Sequence, residues 1–150
     1  MAGLTSAITT TFKKELLEGD HDFNNGADTF KIALFKANSS ISGTYGAATT
    51  NYSDVTGNSD ETTGTGYSSG GNTLTNVDPT TSGTTAFTDF ADTSWTSATF
   101  TTRGAIIYNT NDGNSAVMII DFGADFSVSG GTFTVEFPAA GASTAILRIA

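Results

Sequence analysis

The chain has 150 residues, no cysteine, 14% charged residues and a formal net charge of −9. That length fits one domain with a real core, and the lack of cysteine excludes disulfides and thiolate metal sites, so packing or oligomerisation must hold the fold. The acidic balance argues against nucleic acid as a direct partner, because affinity for phosphates comes mainly from Lys and Arg displacing counterions.

The opening stretch, MAGLTSAITTTFKKELL, has no basic leader before an apolar core, and no later segment reaches the roughly 20 residues that span a bilayer. We expect neither an export signal nor a membrane anchor. Leu4, Ile8, Phe12 and Leu16 recur every fourth residue, which predicts a short amphipathic helix or arm over residues 4–18, ended by Gly19. Thr9, Thr10 and Thr11 are poor helix formers and could draw the first half into an extended arm, leaving residues 12–17 as the helical part. The apolar stripe either packs on the protein's own sheet or is donated to a neighbour.

Residues 19–28 form a loop by composition and carry the sole histidine, His21, between Asp20 and Asp22. A calcium site needs six to eight oxygens, and the spacing fits no known loop. A Ser–His–carboxylate triad lacks its strained nucleophile turn. We read the segment as a solvated turn, with no metal, no cofactor and no catalytic residue.

Residues 29–36, TFKIALFK, are the first clear strand, with Phe30, Ile32 and Leu34 on the core face and Lys31, Ala33 and Phe35 opposite. Residues 37–71 are dominated by Ser, Thr, Gly and Asn, too polar for a central strand and too long for a simple connection. Tyr45, Tyr52 and Tyr67 scattered through that excursion match the composition of adaptable binding loops. It is read as a long surface excursion that is either structural or a glycan- or subunit-contacting face.

Short strands follow at intervals typical of a sandwich: 72–78, 84–90, 95–102, 103–109, 115–122, 131–137 and 144–149. Turn residues separate most of them, at Pro79 with Ser82-Gly83, at Asp92, at Ser129-Gly130-Gly131 and from Pro138 to Gly141. Arg103-Gly104 lacks loop composition and reads as a bend or bulge in one long strand. The two most apolar runs, AIIY and AVMII, flank Asn111-Asp112-Gly113-Asn114, which supplies the positive-φ residues of a tight reversal and marks the core hairpin. An EF-hand reading of that turn fails because Ile120 stands where the bidentate Glu would be. The glycines at 64, 66, 70 and 71 make no phosphate cradle, since no P-loop lysine follows. Trp95 is either a sugar platform or buried packing, and no carboxylate pair is placed for glycoside hydrolysis. With no helix long enough for a parallel crossover between strands, the expected fold is all-β. It is a single, mostly antiparallel β-sandwich, jelly-roll or Ig-like, over residues 1–150 with a short N-terminal helix.

The strings TFKKELLEGDHDF, DTFKIALF, GTGYSSGGNTLTNV, TTAFTDFADTSWTSATFTTRGAIIYN, AVMIIDFG and GTFTVEFPAAGASTAILRIA, in that order, resemble a family of small structural proteins of tailed bacteriophages. The resemblance implies a non-enzymatic capsid decoration or cement protein on the exterior of the virion. Its partners would be the major capsid protein and, as a homotrimer, itself. The alternative within the virion is a tail-fibre, adaptor or host-adhesion protein that binds a surface glycan. Leu4, Ile8, Phe12 and Leu16, with Tyr45, Tyr52 and Tyr67, are the candidate partner-contact residues.

Overall fold

The computed structural model describes residues 2–150. In chain order its elements are β1 (Gly3–Leu4), β2 (Ala7–Ile8), α1 (Thr10–Glu18), β3 (Phe30–Phe35), a 3-10 turn (Asn38–Ser40), β4 (Thr44–Tyr45), α2 (Tyr52–Gly57), β5 (Asn72–Thr73), β6 (Asn76–Ser82), β7 (Thr85–Phe90), β8 (Thr93–Asn109), β9 (Ser115–Val135) and β10 (Leu147–Ile149). Strands hold 48% of the residues and helices 12%, so the fold is all-β and sandwich-like. Every ladder is antiparallel except the two-residue pair of β1 with β4.

The predicted hairpin organises the molecule. β8 and β9 pair from Asn109↔Ser115 to Thr93↔Val135, and the reversal uses Gly113 and Asn114 at φ 56° and 67°. Around them the larger sheet runs β2-β9-β8-β3-β5, and a second sheet runs β10-β7-β6. The bend expected at Arg103-Gly104 is present as a register shift between Thr102 and Gly104. There Phe122, Gly123, Ala124 and Asp125 bulge from β9, because Thr102 pairs with Phe126 and Gly104 with Asp121. A straight strand would hold Phe122 and Phe133 about 35 Å apart, yet their ring centroids are 6.2 Å apart. The ribbon therefore folds back on itself, and its two halves enclose a shared core.

Three expected boundaries change for physical reasons. Residues 115–122 and 131–137 are not separate strands: Gly130, at φ 64°, is a one-residue bulge whose N–H goes to Thr99 Oγ1 at 2.9 Å, so β9 continues through it. Pro79 is not a turn but lies inside β6, which tolerates it because β6 is a sheet edge and its register shifts there. The reversal falls at Ser82-Gly83, the other part of the expected turn, where Ser82 pairs with Thr85. The N-terminal helix spans Thr10–Glu18 only, since Thr9 caps it by accepting from Phe12 N–H. Residues before the cap are extended, with β2 paired to Met118 and Ile119. Gly19 ends the helix in the left-handed conformation, as expected.

The largest difference concerns residues 37–60. Phe30, Ile32 and Leu34 face a core with Phe12, Phe90, Ile107 and Val117, matching the alternation read from the sequence. Ala33 and Phe35, on the opposite face, are buried too, in a second cluster with Ile41, Tyr45, Val55, Ile106 and Tyr108. The polar excursion is thus a lid on the second face of the sheet, and its large apolar side chains Ile41, Tyr45 and Val55 point inward. No helix among the described residues is long and apolar enough to cross a membrane.

Candidate functional site

Two carboxylates fasten the excursion. Asp60, fully buried, accepts from Ser42 N–H (2.9 Å), Gly43 N–H (2.8 Å) and Tyr45 O–H (2.7 Å), and pairs with Lys36 Nζ at 3.0 Å. Burial is the largest influence on its carboxyl and opposes ionisation, but the donors from Gly43, Ser42, Tyr45 and Lys36 outweigh it and hold the group well below the usual carboxylate range. Glu61 accepts from Tyr67 O–H and Gly70 N–H at 2.7 Å each and from Tyr52 O–H at 2.6 Å. Burial first, and then this acidic partner, push the Tyr52 and Tyr67 hydroxyls up, so both remain protonated donors at neutral pH. Tyr52 stacks flat on Tyr108 at 4.5 Å. These tyrosines are fastenings of the fold.

Residues 19–28 form the exposed turn expected, except that His21 and Phe23 are buried and His21 joins a second acidic cluster. The His21 side chain is fully buried and its Nε2 lies 3.0 Å from Glu15 Oε2, with Asp112 beside them. The three groups lie within 4.8 Å of one another, a spacing a metal ion could use. The surrounding hydrogen bonds do not fit one. Asn109 Oδ1 accepts from Asn111 N–H at 2.9 Å, so its Nδ2 is the atom facing Asp28 at 2.8 Å and His21 Nδ1 at 2.9 Å. Nδ1 must accept, which places the imidazole proton on Nε2, donating to Glu15. A ligating histidine needs the reverse arrangement, with its other nitrogen donating outward. The cluster is no serine triad either, because Ser115 Oγ donates to Glu15 at 2.6 Å and not to the histidine. Burial, followed by the charge of Glu15, raises the Asp112 carboxyl above its ordinary value. This network ties α1, the loop and the hairpin turn together.

The unsatisfied surface lies where the ribbon folds back. Phe122, Phe126, Phe133 and Val135 line an open groove of about 310 Å³. It continues into one of about 490 Å³ lined by Ile8, Met118, Ile120, Phe137 and Ile146, with Phe122, Val135 and Glu136 shared by both. Phe126 is 47% exposed. A smaller apolar groove is lined by Leu16, Phe23, Phe87, Leu147 and Ile149, the last 60% exposed.

Of the contact residues proposed from sequence, Phe12 and Tyr45 lie in the interior, and Leu4, Tyr52 and Tyr67 are half-buried against the two cores. Tyr52 and Tyr67 meet on Glu61, Ile8 lines the seam and Leu16 lines the smaller groove. Trp95 is buried among Tyr67, Phe100 and Phe133, so its ring offers no platform to a sugar. Apart from Ile8, the seam residues were missed because the alternation of Phe133, Val135 and Phe137 reads as an ordinary core face. Phe126 after the Gly123 kink was the available signal. Compared with family models, curated proteins and solved structures, the chain matches none of them. The resemblance to phage structural proteins therefore stands on the residue strings alone.

Proposed function

We propose that the chain is a capsid decoration protein, a non-enzymatic binding module that attaches to the major capsid protein on the outer surface of a bacteriophage head, as a homotrimer. The observation that carries this reading is the open apolar seam at Phe122, Phe126 and Phe133 on a fold whose buried carboxylates are committed to internal fastening. An open groove lined by half-buried aromatic side chains, with Phe126 exposed at its edge, is the kind of surface on which a partner docks. Symmetry then multiplies modest contacts, since three linked copies bind a lattice far more tightly than one. The test is the copy number of the chain relative to the major capsid protein in purified particles, by quantitative mass spectrometry. Whole-shell stoichiometry supports decoration. A handful of copies would move the protein to the tail or a host-adhesion role, and absence from particles would remove the virion reading.

A further inference from the structure

Strand β9 has neighbours on both sides only over residues 115–121, where Thr50 and Asn51, Thr9, β2 and Ser6 cover its outer edge. Residues 122–125 bulge out of the ladder, and over residues 126–135 the ladder runs to β8 alone, with no described backbone partner on the opposite edge. An unpaired edge is a template for another strand, and proteins that keep one free blunt it with lysine, proline or inward-pointing charge. Residues 122–135 hold no lysine, arginine or proline, and their single charge is Asp125. The bulge at Gly130 divides the edge into two short runs without closing it.

The chemistry beside this edge is specific. A strand laid along it would send alternate side chains toward Phe122, Phe126 and Phe133. Glu136, exposed and shared by both grooves, has no ion pair among the described residues. Arg103, beside the ribbon kink, is already held by Asp121 at 2.7 Å. We infer that the β9 edge takes an added strand from a basic partner: an extended segment of another protein with apolar residues at alternate positions and a lysine or arginine that reaches Glu136. The charge of −9 favours approach of such a segment, and Asp125 and Glu136 along this edge oppose its pairing with the same edge of a second copy. Main-chain bonds to the edge supply affinity, and the groove and Glu136 supply selectivity. The inference rests on the chain being a binding protein, but not on its partner being a capsid subunit.

The test titrates the full-length, isotope-labelled chain with two synthetic peptides of about ten residues, a length that matches one short strand. Both alternate valine and threonine; one carries two lysines and the other two glutamates. The lysine peptide shifts the amide signals of residues 122–136 and slows their hydrogen exchange, and the glutamate peptide does neither. Glu136→Gln weakens the lysine peptide by about twofold to fivefold, and Phe126→Ser by about fivefold; both positions are exposed, so both variants fold. Equal binding of the two peptides, shifts confined to Leu16 and Ile149, or no shift up to about 1 mM would overturn the inference. So would edge protection that grows with protein concentration in the free chain, which would make a second copy the occupant. Whole-shell copy number in particles together with an unresponsive β9 edge would leave decoration standing and remove only this mode of binding.

Discussion

Replacing Asp60 with alanine tests whether the polar excursion is fastened as described. The substitution leaves Ser42 N–H, Gly43 N–H and Tyr45 O–H facing a site that had no solvent exposure, and strips the carboxylate from Lys36, which keeps only the Ser59 carbonyl. Removing one side of a buried, hydrogen-bonded ion pair costs about 3–5 kcal/mol. For a chain of this size that lowers the melting temperature by roughly 6–20 °C. Asp60→Asn keeps one accepting oxygen but turns an amide N–H₂ toward the donors, and costs about 1–3 kcal/mol. The pH dependence has a definite sign. The folded carboxyl is held below its unfolded value, so its contribution is complete above about pH 4 to 5 and is lost as the pH falls through the folded value. The stability gap between wild type and Asp60→Asn is therefore constant near neutrality and narrows in acid. Urea denaturation at several pH values measures the gap, and hydrogen exchange locates the loosened region at residues 42–45 and α2. A loss below about 1 kcal/mol for Asp60→Ala, with exchange there unchanged, would refute the fastening.

Gly71→Ala should destabilise strongly: φ is +69° and a Cβ would fall on the Ile32 carbonyl oxygen, so β5 can no longer close on β3. A cost of at least about 2 kcal/mol by thermal denaturation is expected, and a neutral result would show that the strand pairing moves freely. Trp95→Phe should change stability by less than about 1.5 kcal/mol, because it removes an indole N–H that is buried without a partner while keeping most of the ring packing. Trp95→Ala should cost about 3–5 kcal/mol; equal losses for the two variants would mean that the indole nitrogen has an acceptor.

The periodic elements were legible because one residue pattern determined each. β3 showed alternation, the hairpin turn showed Asp-Gly-Asn, and Gly19 marked the end of α1. The excursion was not, because Ile41, Tyr45 and Val55 are too sparse to give a period and become a layer only when Asp60 and Glu61 draw the backbone onto the sheet. The same limit hid the histidine cluster. Asp112 and Ser115 are distant in sequence from His21 and Glu15 lies on the preceding helix, whereas the flanking Asp20 and Asp22, which suggested a solvated turn, are not among the groups within reach of its ring. The seam was hidden for a converse reason: β9 reads as two conventional half-buried strands, and only its folding back at residues 122–125 leaves Phe126 uncovered while Phe133 turns toward Phe122.

The most direct measurement of the decoration account is the thermal stability of particles stripped of this chain by mild salt or heat and then incubated with purified protein. Wild-type chain should bind and restore the heat resistance of the shell, and Phe126→Ser, folded to the same melting temperature, should bind poorly and restore little. Shells equally stable with and without the chain would contradict the account, and so would full restoration by a seam variant.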